Sequence, residues 1–153
     1  MTETNDSPKA VFNVERVYCK DISFEAPGVP HAFLEQSAPS INIQLNINHG
    51  VLDEGEGLYE VVLTATATAK QGEKTLFLVE VQQAGVFRLQ HIPEADLPRL
   101  LEIASPNILL PFAREAIADL VTKGGFPQLL LNPVNFEALF HQKQAAQKKQ
   151  AQH

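Results

Sequence analysis

The chain has 153 residues, 44% hydrophobic and 20% charged, a globular composition that excludes wholesale disorder. A formal charge of −6 argues against nucleic acid as a partner. The single cysteine, Cys19, excludes a disulfide scaffold and suits a reducing compartment, and no apolar run is long enough to span a bilayer.

Residues 1–10 are polar, contain Pro8 and lack the basic-then-apolar pattern of a signal peptide, so they read as the flexible end of a cytoplasmic protein. Residues 11–25 alternate at period two. Phe12, Val14, Tyr18, Ile22 and Phe24 fall on one face, interrupted by Arg16 and Lys20; Glu15, Asp21 and Glu25 mark the other. Proline and glycine at 27–30 end this strand. After a connection to Pro39, residues 41–48 alternate strictly, with Ile41, Ile43, Leu45 and Ile47 against Asn42, Gln44, Asn46 and Asn48. That is a half-buried strand. The DEGEG turn (53–57) leads to a third strand, 59–70, with Tyr59, Val61, Leu63, Ala65 and Ala67 opposite Thr64, Thr66 and Thr68. Gln71-Gly72-Glu73 predicts a hairpin. The fourth strand, 75–89, is apolar on both faces: Phe77, Val79, Val81 and Phe87 on one, Leu76, Leu78 and Val86 on the other. Such a strand covers something on each side, and a partner subunit is the natural second layer.

From Pro93 the period becomes helical. Residues 95–104 predict a short helix broken by Pro98, and Ser105-Pro106 restarts the chain. Pro111 predicts a helix beginning near it and running to Lys123, with a stripe of Phe112, Ala113, Ala116, Ile117, Leu120 and Val121, stopped by Gly124-Gly125. Asn135 can cap a last helix carrying Phe136, Leu139 and Phe140. The pattern places Phe136 and Phe140 in the core, with an apolar groove as the alternative. Residues 141–153 are mostly Gln, Ala, Lys and His and predict a frayed, weakly basic tail after an acidic body. Strands followed by helices make an α+β domain with a four-stranded antiparallel sheet, spanning residues 11–140.

The chain has no phosphate-binding glycine loop and no nucleophile elbow, and its five histidines do not pair at metal spacing. Asp21 and Glu25 on one strand stand about 13 Å apart, too far to act on a single bond. They read as a solvated face or as surface ion pairs with Arg16 and Lys20. Cys19 reads as a small, semi-buried thiol. No catalytic residue, metal site or cofactor is expected.

Four blocks carry a further signal: ERVYCKDISFEAPGVPH (15–31), YEVVLTATATA (59–69), FLVEVQQAGVF (77–87) and SPNILLPFAREAIADLVTKGGFPQLLLNPVNFEALF (105–140). Together they closely resemble the SecB protein-export chaperones over roughly residues 12–140. The resemblance implies a cytoplasmic homotetramer, a dimer of dimers. It would hold unfolded preproteins without ATP and pass them to the translocase motor SecA. It implies SecA docking at Asp21, Glu25, Leu78 and Glu80, sensitivity of subunit association at Val79, Val81 and Gln83, and a client groove near Phe136 and Phe140. Two features depart from the family pattern. Leu34-Glu35-Gln36-Ser37 lacks the tryptophan often found there, and the tail is basic rather than acidic. The alternatives are a SecB-like chaperone with another client set, as in toxin control, and a small-molecule binding domain. The latter requires a closed apolar pocket with converging polar groups.

Overall fold

A computed structural model describes residues 7–35 and 37–151; residues 1–6 of the expected loose N-terminus, Gln36 and residues 152–153 lie outside the described residues. Strands β1 (Val11–Glu25), β2 (Ser40–Asp53), β3 (Leu58–Gln71) and β4 (Lys74–Gln90) form one antiparallel sheet in the order β1-β4-β3-β2. The turns fall where the sequence places them: Asp53 Oδ1 accepts from the Glu56 N–H, and Gly72 occupies the two-residue β3–β4 hairpin at φ +62°. The β1–β2 connection passes from one sheet edge to the other and carries a short 3-10 helix, His31–Leu34.

Antiparallel register sorts the side chains. Val61, Leu63, Ala65, Ala67, Phe77, Val79, Val81 and Phe87 all project from one face into the core. Helix α2 (Ser105–Lys123) lies on that face and buries Leu109, Leu110, Ala113, Ala116, Ile117 and Val121 against it. Gly85 lets helix and sheet approach closely: a Cβ there would meet Phe87 at 2.8 Å and Leu109 at 3.2 Å. The sequence pattern predicts a cover on each face of β4, with a partner subunit as the second layer. The chain's own helix covers one face, and on the other Leu78 and Val86 are half-buried among Glu80, Gln82 and Arg88.

The face assigned to β1 also changes. Register shifts between Val14 and Arg16 and between Cys19 and Asp21 each insert a residue and invert the alternation. Phe12, Val17 and Phe24 pack on the core, with Phe12 stacked on Phe87 and Phe24 on Phe77. Tyr18 turns to the opposite side, and Cys19 is exposed rather than semi-buried, its Sγ 3.4 Å from Gln83 Oε1.

The helical half is more continuous than its prolines suggest. A short α1 (Leu97–Arg99) runs through a π-helical turn, Leu100–Ala104, directly into α2, with Pro111 inside the helix and Phe112 exposed. The widened turn precedes Pro106, which has no N–H to offer the ladder, and the Ser105 hydroxyl donates to the Leu100 carbonyl at 2.7 Å. Gly124 and Gly125 end α2 as expected. Gly125 sits at φ +87°, and a side chain there would press on the Phe33 ring. Asn135 Oδ1 accepts from the Ala138 N–H and caps α3 (Phe136–Ala151), which continues through the segment expected to fray; residues 141–151 are all exposed.

Val81 is wholly buried under α2. Val81→Asp places an unpaired charge there, costing several kcal/mol. The expected outcome is loss of the cooperative thermal transition by circular dichroism. A folded species of reduced native mass would instead place Val81 at an interface.

Candidate functional site

Two surfaces stand out, one on each side of the sheet. On the face away from α2, Glu25 pairs with Leu78, Ser23 with Glu80 and Asp21 with Gln82. The four residues Asp21, Glu25, Leu78 and Glu80 thus lie together on adjacent strands, as two sequence-distant blocks must if they share a sheet. Asp21 and Glu25 are exposed, while Leu78 and Glu80 are half-buried. Thr66, directly opposite Glu80 on β3, donates to its Oε1 at 2.9 Å and holds that carboxylate against the sheet.

The same face carries a cluster that the sequence did not single out. Glu60 on β3 accepts the Lys20 ammonium at 2.8 Å on Oε1 and the Tyr18 hydroxyl at 2.5 Å on Oε2. Lys20 and Tyr18 together hold Glu60 below the usual carboxylate range, with the ammonium the larger cause. Burial, reinforced by Glu60, pushes the Tyr18 phenol up to about 12. No alternation pattern could have signalled this, because it depends on the β1 bulges at Glu15 and Lys20.

The second surface is an open cleft of about 600 Å³ at the end of α2, lined by Phe33, Ile41, Leu76, Phe77, Phe126 and Leu129. Its rings form a chain: Phe24 to Phe77 at 6.0 Å, Phe77 to Phe126 at 5.0 Å and Phe126 to Phe33 at 5.3 Å. The inner rings belong to the core and Phe33 is 50% exposed, so the chain of rings connects buried to open apolar surface. Leu34 and Leu130 stand exposed nearby on the two loops that form the cleft. The available signal was apolar residues inside proline- and glycine-rich connections (HAFLE and GGFPQLLLNP), where a core role is not expected.

The other expected site residues lie elsewhere. Within the single chain Val79 and Val81 are buried in the core, and Gln83 is buried with its amide donating to the Tyr18 carbonyl at 3.1 Å. Phe136 and Phe140 are 1% and 5% exposed and anchor α3. The pattern reading, core, describes them better than the groove implied by family resemblance. Phe140 shows only an edge, in a recess of about 170 Å³ with Leu45, Ile47 and Leu139. Among the described residues, no group of three or more His, Cys, Asp or Glu side chains is placed to hold a metal ion. No helix among them is long and apolar enough to cross a membrane.

The profile of the family described as preprotein translocase subunit SecB matches residues 5–147. A protein-export protein SecB of Acidithiobacillus ferrooxidans is 54% identical over 142 residues, covering 93% of this chain and 95% of that one. One from Nitrosospira multiformis is 51% identical over 140 residues, covering 92% and 87%. Among solved structures, a Mycobacterium tuberculosis SecB-like chaperone bound to an antitoxin peptide superposes with a TM-score of 0.67. It covers 80% of this chain and 90% of that one, and at 12% identity it shows the shared fold.

The raised Tyr18 pKa makes a stability prediction. The folded protein binds this proton more tightly than the unfolded chain does, so the contribution is complete below about pH 10 and is lost as pH rises toward 12. Ultraviolet titration is expected to show a late tyrosinate phase near pH 12 that is absent in Tyr18→Phe. The same variant is expected to flatten the alkaline loss of thermal stability. An unchanged late phase in Tyr18→Phe overturns the assignment.

Proposed function

The chain belongs to the SecB family of protein-export chaperones, and on that premise we infer that it is an ATP-independent holdase that binds unfolded preproteins in the cytoplasm and delivers them to SecA. The observation that carries the reading is the open aromatic cleft. An open cleft with a graded run of rings accepts apolar side chains from an extended segment with little demand on sequence. A small-molecule carrier would need an enclosed pocket. Each client side chain buried there contributes at about 25 cal/mol per Å² of apolar surface removed from water. The strand beside the cleft suits an extended guest as well. β2 is a sheet edge without a charged residue from Ile41 to Leu52, so its unpaired backbone groups stay available.

Delivery uses the other side of the sheet. Asp21, Glu25 and Glu80 with the apolar anchor Leu78 form a flat acidic patch suited to an electropositive surface on SecA. Charge of this kind supplies steering and register more than affinity. Because clients bind on the helix side and SecA on the outer side, both are held at once.

A homotetramer, built as a dimer of dimers, fits the apolar surface left exposed on the helix side: Phe112 on α2 and Val14 and Ile22 on β1. An effect of Val79, Val81 or Gln83 on association acts through the packing of β4, which fixes where α2 and the outer face stand.

Three outcomes test the reading. Native mass spectrometry is expected to give four subunits; a stable monomer counts against the assembly. Phe33→Ala is expected to weaken suppression of client aggregation, without nucleotide, by roughly 5- to 30-fold with an unchanged melting temperature. Equal affinity for folded and unfolded client sinks the holdase reading. Asp21→Lys with Glu25→Lys is expected to slow SecA association about tenfold at low salt and less at moderate salt, leaving client holding intact.

A further inference from the structure

Register divides the outer face of the sheet into two electrically different halves. From Asn42 to Gly50 the β2 residues facing outward, Asn42, Gln44, Asn46, Asn48 and Gly50, are uncharged, and Asp53, opposite Leu58, comes only at the strand's end. On β3 the outward residues are Leu58, Glu60, Val62, Thr64, Thr66, Thr68 and Lys70, so Glu60 is the one acidic residue that β3 places on this face, with Lys70 at the opposite end of the strand. The two Glu60 oxygens are both occupied by β1, by Lys20 on one and Tyr18 on the other. The donors reach it by crossing β4 at Ala84. That residue pairs with Tyr18 on the outer face and is nonetheless wholly buried. Lys20 is the extra residue of the second β1 bulge, without a register partner on β4. Bulges re-aim side chains in this way. Asp21 and Glu25 have no side-chain partner among the described residues, and Glu80 is held by a neutral hydroxyl that leaves its charge intact.

We propose that the Lys20–Glu60 pair is a charge-masking clasp that sets the boundary of the docking surface: it cancels the carboxylate on β3 and confines a basic partner to the β1–β4 half, over Asp21, Glu25 and Glu80. This rests on the reading of the acidic patch as the SecA-docking site. As a stability element an exposed pair of this kind contributes little, because solvent screens it and two long side chains must be ordered. Its effect on the field is larger. Removing Lys20 releases a carboxylate and extends the negative surface onto β3. Removing Glu60 leaves an ammonium free next to Asp21.

The experiment measures SecA association rates at low salt for the tetramer or native assembly. Lys20→Gln is expected to raise the rate roughly threefold and Glu60→Gln to lower it by a similar factor. In the double variant the two shifts are expected to cancel. Lys149→Gln, which changes net charge equally at the far end of α3, is expected to leave the rate unchanged. An equal rise in Lys20→Gln and Lys149→Gln overturns the proposal, since net charge alone then accounts for it. So does an absence of effect in Lys20→Gln and Glu60→Gln while Asp21→Lys with Glu25→Lys still slows association; the clasp is then structural only. If the Asp21/Glu25 reversal itself has no effect, the docking reading has failed and the clasp proposal falls with it.

Discussion

Phe77, Val79, Val81, Gln83, Gly85, Phe87 and Leu89 all leave β4 on one side, and a strand's period of two then commits Leu78, Glu80, Gln82, Ala84, Val86 and Arg88 to the other. β4 is central in the sheet, so this division propagates through register to β1 and β3 and from β3 to β2. A single helical layer covers the first side. The second is left for solvent and partners, and it is polar for that reason. The acidic patch is a consequence of this alternation: it cannot move to the helix side without a register slip that would expose the core.

The exception to the alternation is β1, and the exception is useful. An unbroken strand of 15 residues would put Tyr18 and Lys20 with Phe12 and Phe24, against the core. Two bulges invert the pattern in the middle and restore it before Phe24. The core contacts at both ends are kept and Asp21 stays on the outer face, while Tyr18 and Lys20 are delivered there. Tyr18 and Lys20 then share a face with Asp21 and Glu25, and a cross-strand clasp forms over a residue as small as Ala84.

The cleft has a different origin. It forms where the sheet-crossing connection and the segment after α2 meet, and its walls are loops held by glycine. Gly124 leaves no side chain to collide with Phe24, and Gly125 takes a backbone conformation closed to most residues while Phe33 packs over it. Loops of this kind adapt to varied guests, whereas the sheet keeps a flat, fixed surface. On the proposed function, adaptable binding of clients and fixed docking of a partner fall on the elements suited to each.

Much of this architecture was legible in the amino-acid order because it depends on local periodicity. The four strands, the glycine turns, the end of α2 and the Asn135 cap all follow from alternation and turn chemistry that act over a few residues. Phe136 and Phe140 are instructive: their helical spacing indicated a core role, which burial bears out, whereas family resemblance pointed toward a groove. The blocks at 15–31, 59–69, 77–87 and 105–140 together indicated the family, and pairing of β1 with β4 brought the acidic residues of two of them together. What the tertiary structure decided was everything that needs contacts between distant segments. The bulges in β1 arise from its pairing with β4, so Tyr18, Lys20 and Cys19 could not be assigned a face beforehand. The run of α1 into α2 through Pro98, Pro106 and Pro111 overrides local helix-breaking tendencies, because packing of Leu109, Ala113 and Ile117 on the sheet outweighs the lost hydrogen bonds. The cleft of Phe33, Phe77 and Phe126 joins three segments far apart in sequence, and periodicity, which relates only near neighbours, carries no information about such a meeting.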